Sequence, residues 1–324
     1  MKEKAILFLV SIALLAGVLY FSDVNKIAEI LSKANLQFIF LGFSLWLLSC
    51  LVRSVRWQYL LKRIGINSPF SITARVYLAG MAISNLTPGK TGDPIRSVFL
   101  KKALNEPVGK SLSSLFIERM VEIIVMVSIS LIGFIFLMSS IPSMSIWFIL
   151  AASIFLGLSA LGVFVFSSEK RAHSFVSKFC TVFCFIPAVK SLGSRAESFS
   201  REIHKSFLQY KDPKTLFVTV LLTSTIWLLE GAILYLSFAS LGLAVTPFSA
   251  IVILPLATLI GVISFLPGSL GSLELIYIMF FTSLFPLTLP EITATILLNR
   301  LLSFWSYVVT GAVLMSTLKY KYKL

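Results

Sequence analysis

Residues able to do chemistry fall in two kinds of place in this chain. The first is a glycine-rich turn, NLTPGKTGD at 85–93, whose Gly89-Lys90-Thr91 matches the end of a phosphate-binding loop. Such a loop needs another glycine five positions before the Gly of its GK[ST], so that successive backbone N–H groups wrap the phosphates. Ser84 stands there instead, and Pro88 has no N–H to offer. The preceding VYLAGMAIS reads as a buried helix rather than a strand, so the nucleotide reading is rejected.

The second is a set of charges inside apolar runs. Glu118, Arg119 and Glu122 lie within 112–138, and Arg300 lies within 292–318 beside Asn299. Each such charge at bilayer depth costs roughly 2.5–3.5 kcal/mol on insertion scales unless it is paired or hydrated. Arg119 and Glu122 are i, i+3 neighbours on a helix, and Glu118 and Glu122 share a face at i, i+4. Arg300 has no acid one turn away in its own helix. Its counter-charge must come from Glu274, from Glu230, or from a ligand phosphate bound by the planar guanidinium fork. An internal ion-pair latch is the simpler role for either arginine. Asp93, at the end of the turn, stands alone in sequence.

These groups sit in a very apolar frame. The chain has 324 residues, of which 57% are hydrophobic and 13% charged. Runs at 5–21, 36–52, 112–138, 146–166, 216–241 and 292–318 approach or exceed the ~20 residues that span a bilayer. The expected class is an all-α polytopic membrane protein forming one transmembrane domain over 1–324. The first run is long for a signal peptide and lacks a following A-x-A site, so it is expected to be a retained helix.

A net charge of +14 would suggest nucleic acid on a soluble protein. Here the basic residues read as short cytoplasmic loops. One group is Arg53, Arg56, Lys62 and Arg63; another is Arg96, Lys101, Lys102 and Lys110. A basic cytoplasmic segment is expected at 167–214, including an amphipathic surface helix at 195–210, and a lysine tail follows Leu318. His173 and His204 fall in that segment and read as solvated or interfacial residues. Cys180 and Cys184 are spaced i, i+4, but no further cysteine or nearby acid completes a metal site. No metal and no cofactor is therefore expected.

The chain also repeats itself. TPGKTGD is echoed by LPGSLGS, SPFS by TPFS, and WLL at 46–48 by WLL at 227–229. Arg119 is echoed by Arg300, and the four separations lie between 178 and 181 residues. A duplicated unit over about 36–138 and 216–318 follows. Basic flanks on both sides of 72–100 make that stretch a re-entrant hairpin entered from the cytoplasm, with its turn at Pro88, Gly89 and Gly92. A full span over 72–86 is the alternative. The second hairpin, turning at Pro267, Gly268 and Gly271, enters from outside through loops without charges. About six spanning helices and two re-entrant hairpins in an inverted repeat result, with both termini cytoplasmic. Inverted repeats with broken helices meeting near the midplane are a common transporter plan. Each turn serves either to let two half-helices pack or to present helix N-termini to an anion.

The chain resembles the membrane region of lysylphosphatidylglycerol synthases, a flippase-like family of multispan proteins. The resemblance rests on RSVRW (53–57), NLTPGKTGDPIR (85–96), ERMVE (118–122), LPGSLGSLE (266–274) and NRLLSFW (299–305). The family's turns more often read P-G-G-x-G, where this chain has Lys90 and Ser269, and Glu122 stands where an Asp is usual. The soluble lysine-transferring domain of the named synthases has no counterpart among these residues. The resemblance thus implies movement of a phosphate-bearing lipid across a plasma membrane, not its synthesis. Arg119, Arg300, Glu118, Glu122, Glu274 and Asp93 would contact the substrate, and no residue is expected to be catalytic. An ion-coupled small-solute transporter and a membrane-embedded lipid-modifying enzyme are the competing readings. Membrane lipids are the expected partners, with no nucleic acid. A homo-oligomer or a separate lipid-modifying enzyme is left open as a protein partner.

Overall fold

A computed structural model describes residues 2–137, 212–264 and 266–322, and parts of 146–210. The expected loop at 139–145, much of the expected span 146–166, most of the amphipathic helix expected at 195–210, and Cys184 lie outside the described residues. The described residues form helices α1 (Lys2–Phe21), α2 (Val24–Ser32), α3 (Leu36–Arg63), α4 (Phe70–Leu86), α5 (Ile95–Leu104) and α6 (Val108–Leu137). They continue as α7 (Glu169–Val182), α8 (Pro213–Ser240), α9 (Pro247–Ile263), α10 (Ser272–Leu284) and α11 (Leu289–Arg300). A π turn at Leu301–Trp305 joins α11 to α12 (Ser306–Tyr322).

Helix starts follow local chemistry. The first turn of a helix leaves N–H groups without partners, and a short polar side chain can accept from them. Asn35 caps α3 through Gln37 N at 2.9 Å. Asp212 caps α8 through Thr215 N at 3.1 Å, ahead of Pro213. Thr246 caps α9, and Glu291 closes a capping box on Thr288 at the start of α11.

Among the described residues, α3, α8 and Leu289–Leu318 are long and apolar enough to cross a membrane. A fourth span counts if Leu9–Phe21 and Val24–Ser32, bent by 78°, form one. Their outer faces expose Phe40, Leu51, Phe217, Leu221, Val309 and Val313. Large apolar side chains in such a continuous exposed set belong in lipid, so this is a multi-pass membrane protein. α3 runs eleven residues past the expected end at Val52, and α2 lies between the expected runs 5–21 and 36–52.

α3 and α8 pack antiparallel at the centre. Asn35 N donates to Ser240 O at one end, and Tyr210 Oη donates to Leu60 O at the other. Helices α4 and α5 fold back on each other as a hairpin. Its two open ends meet beside the end of α3, where Gln58 Nε2 donates to Ser68 O and Lys110 approaches Gly65. Helices α9 and α10 form a second hairpin. It opens beside the end of α8, where the Phe238 and Phe281 rings pack at 51° to each other with centroids 4.5 Å apart. The hairpins thus approach from opposite ends, and their tips touch through an antiparallel bridge between Pro88 and Pro267.

Close helix approach depends on missing side chains. A Cβ on Gly311 of α12 would fall 2.6 Å from Ala82 Cβ and against the Leu78 carbonyl of α4. Gly311→Val should therefore push α12 from α4. Overpacking of this kind costs about 1–3 kcal/mol, so a lowered melting temperature in detergent is expected, against no change for Gly17→Val, which meets open space.

Candidate functional site between two helical turns

The two turns share their backbone conformation at two successive residues, though Gly271 has a φ of 84° that Gly92 does not match. Gly89 and Lys90 have φ of 56° and 56°, and Gly268 and Ser269 have 60° and 51°. Thr91 N donates to Pro88 O at 3.1 Å, and Leu270 N donates to Pro267 O at 3.2 Å. A non-glycine residue at positive φ is uncommon, and here one recurs at the same place in both turns. Space is as restricted as conformation. A Cβ on Gly268 would meet the Phe304 ring at 2.7 Å, and one on Gly92 would meet Thr87 Oγ1 at 2.7 Å. Helix α4, not a strand, precedes the GKT sequence, in keeping with rejection of a nucleotide loop.

Arg300 holds the second turn. Its Nε donates to Glu274 Oε1 at 2.8 Å, Nη1 to Gly268 O at 2.9 Å and Nη2 to Ser269 O at 3.2 Å. Glu274 Oε2 in turn accepts from Gly271 N at 2.7 Å. Of the two acids expected to answer Arg300, Glu274 does so, while Glu230 accepts from Arg53 Nη2 at 2.9 Å. The π turn after Arg300 carries Phe304 under the guanidinium, 5.2 Å from its ring centroid.

Arg119 holds the first turn differently. Its Nε donates to Asp93 Oδ2 and its Nη1 to Glu122 Oε2, both at 2.5 Å. Asp93, which stands alone in the sequence, is a member of this cluster and not an isolated acid. Its position one residue past Gly92 aims it at α6, a direction that spacing along the chain does not reveal.

Sequence reasoning placed Arg53, Arg56 and Arg96 in cytoplasmic loops, and the structure corrects this. All three are buried on α3 and α5. Arg56 Nη2 donates to Glu118 Oε1 at 2.6 Å and Nη1 to Thr223 Oγ1 at 3.0 Å. Arg96 Nη1 reaches Glu118 Oε1 and Oε2 at 3.3 and 3.1 Å, and the guanidinium lies 4.6 Å from the Tyr77 ring centroid. Ion pairs of 3.6 Å from Arg96 to Asp93 and 3.9 Å from Arg53 to Glu122 join these contacts into one network. The signal was available: RSVRW sets two arginines at i, i+3 on one helix face, inside a continuing apolar run. Exposed Lys62, Arg63, Lys101 and Lys102 remain on the flanks of the first hairpin.

Where the tips meet, a cavity of about 140 Å³ opens between the hairpins. Its wall includes Gly89 and Lys90 of one turn, Gly268 and Ser269 of the other, and Arg53, Glu122, Glu230 and Arg300. Glu118, Arg119, Asp93 and Glu274 are not in that wall. Trp227, Asn299, Ser303 and Tyr307 are among its other polar lining residues, amid Met81, Leu254 and Leu273. Such a space, apolar with a few converging polar groups, is the usual form of a small-ligand site.

The model of the lysylphosphatidylglycerol synthase transmembrane region matches residues 8–311. The chain is also similar to UPF0104 membrane proteins of archaea. One from Pyrococcus horikoshii is 24% identical over 323 residues, covering 96% of each chain. One from Methanocaldococcus jannaschii is 25% identical over 327 residues, covering 98% of this chain and 95% of the relative. One from Methanothermobacter thermautotrophicus is 25% identical over 324 residues, covering 94% and 93%. The chain belongs to the family of the lysylphosphatidylglycerol synthase transmembrane region.

Removing one partner from a buried ion pair costs about 3–5 kcal/mol, because the other charge stays buried. Glu118 answers two arginines with its side chain fully buried. Glu118→Gln should therefore unfold the protein at a much lower temperature. Glu29→Gln, which breaks an exposed pair with Lys33, should leave the melting temperature in place.

Proposed function

We propose that this member of the lysylphosphatidylglycerol synthase transmembrane-region family moves a phosphate-bearing lipid between leaflets, through the cavity at the two turns. One observation carries the reading: both turns and the charged groups Arg53, Lys90, Glu122, Glu230 and Arg300 line a single cavity in an otherwise apolar bundle. Irregular backbone at membrane depth is tolerated only where protein or water satisfies it. The carbonyls of Gly268 and Ser269 are satisfied by Arg300, and the open space beside them is polar enough to hold a headgroup.

The chain is read as an inverted repeat with re-entrant hairpins. The matching φ values of the turns, their opposite directions of approach and their contact at Pro88 and Pro267 support it. So does the pairing of Ser49 with Glu230 at 2.9 Å across α3 and α8. Both sit three residues after the matched Trp46 and Trp227. Two hairpins entering from opposite membrane faces would give each leaflet its own route to one site. In this reading both termini are cytoplasmic and the membrane is the plasma membrane. A transport role also accords with a family match to a transmembrane region.

Purified protein in liposomes carrying a fluorescent phospholipid tests this. Exchange of the lipid between leaflets without chemical change is expected. Chemical change of the lipid would instead indicate an enzyme, and transport of a small solute alone would indicate the other alternative.

Arg300→Lys should be informative in the same assay. A lysine can keep the charge pair with Glu274, but it lacks the fork that also reaches Gly268 and Ser269. Exchange is expected to fall by about tenfold, the equivalent of roughly 1.4 kcal/mol, a larger effect than that on folding. Wild-type exchange by Arg300→Ala protein would remove the turn from the transport step.

A further inference from the structure

The arginines near the cavity are already paired with carboxylates. Arg53, Arg56, Arg96, Arg119 and Arg300 are each paired, and five carboxylates, Asp93, Glu118, Glu122, Glu230 and Glu274, answer them. Lys90 is the sixth cation of the cluster. It is half-buried in the cavity wall and, among the described residues, its ammonium has no hydrogen bond and no ion pair within 4.0 Å, its backbone alone bonding to Thr87 and Asp93. The cluster therefore carries one positive charge more than its carboxylates neutralise, and that charge faces the cavity.

Two further donors point the same way. Trp227 Nε1 and Asn299 Nδ2 belong to buried residues of the cavity wall, and neither has a hydrogen-bond partner. An unmade hydrogen bond on a buried polar atom costs about 1–3 kcal/mol, so both are expected to serve a ligand or ordered water. One buried acceptor in the wall, Glu122 Oε1, is also without a hydrogen bond. It can accept from a hydroxyl.

From this we infer that the cavity takes a monoanionic phosphodiester whose head bears a free hydroxyl, and that Lys90 holds the phosphate. Trp227 and Asn299 donate to the same anion, and Glu122 receives the hydroxyl. The arginines set the shape of the site and do not bind the anion. The inference rests on the transport reading only for the lipid tail attached to that head. Lys90 is also what sets the two turns apart, since Ser269 occupies the matching place at nearly the same φ.

That match supplies a clean variant. Lys90→Ser puts into the first turn the residue that the second turn holds there, so the backbone should be kept while the charge is lost. Binding of short-chain phosphatidylglycerol and short-chain phosphatidylcholine to the full chain in neutral detergent can be measured by calorimetry. Both lipids carry the phosphodiester, but the choline cation of phosphatidylcholine opposes Lys90, so wild-type protein should bind phosphatidylglycerol about tenfold more tightly, roughly 1.4 kcal/mol. Lys90→Ser should bring the two lipids to near equality, Lys90→Arg should retain the preference, and Trp227→Phe should weaken phosphatidylglycerol binding severalfold. Equal binding of the two lipids by the wild type, absence of binding, or a preference that survives Lys90→Ser would overturn the inference.

Glycerophosphoglycerol, the same head without tails, separates a lipid from a soluble source. If it binds as tightly as the lipid and depends on Lys90, the anion site stands and lipid transport fails. Leaflet exchange in liposomes separates the two claims from the other side. Exchange that ignores headgroup charge and Lys90 would overturn the anion site and keep transport.

Discussion

A guanidinium taken out of water must be met by an opposite charge, and this requirement organises the interior of the bundle. Helix α3 brings Arg53 and Arg56, α5 brings Arg96, and α6 brings Arg119 between two acids of its own. None of these segments is stable in an apolar setting by itself. Each becomes so when its neighbour supplies the missing partner: Glu118 for Arg56 and Arg96, Asp93 for Arg119, Glu230 for Arg53. Breaking any one link strands a charge, so the network ties the first hairpin to α3, α6 and α8 at a defined depth. A buried pair adds little net stability over an apolar replacement; its effect here is to fix which elements meet and in what register.

The second hairpin is held by a smaller version of the same device. Arg300 spends one nitrogen on Glu274 and two on turn carbonyls. Its guanidinium thereby replaces the water that a turn between two half-helices would otherwise need. With both turns anchored, their tips can touch at Pro88 and Pro267 while leaving space beside them. The cavity is thus bounded by charged groups held in place by their ion pairs, and the donors of Trp227 and Asn299 are free of structural duty. A rigid frame around a few uncommitted donors suits the transient anion binding that the proposed function requires.

Much of this was legible in the residues. Helical membrane class followed from the apolar runs, and the hairpin turns followed from proline and spaced glycines. The Arg119–Glu122 pair followed from i, i+3 spacing, and Glu274 was one of two acids named for Arg300. What escaped were contacts made between elements far apart in sequence. Asp93 reaches α6 and Glu230 reaches α3, and periodicity along one helix carries no information about either. Arg53, Arg56 and Arg96 were misread for a different reason. Positive charges near an apolar run suggest a cytoplasmic loop, but α3 continues through Arg53 and Arg56 to Arg63, and Arg96 begins the returning helix of the first hairpin. The cost of charge inside a span, which bears on Arg119 and Arg300, applies equally to Arg53 and Arg56.

Passage through the cavity requires that it open toward each side of the membrane in turn. Ser303 lies in the cavity wall and takes no part in the ion pairs. In protein otherwise stripped of cysteine and reconstituted into sealed vesicles of known orientation, Ser303→Cys can be challenged with a membrane-impermeant thiol reagent from either side. Reaction from both sides is the result expected of a site through which a headgroup crosses between leaflets. Reaction from one side only, or from neither, in protein that is still active in lipid exchange would contradict transit through this cavity.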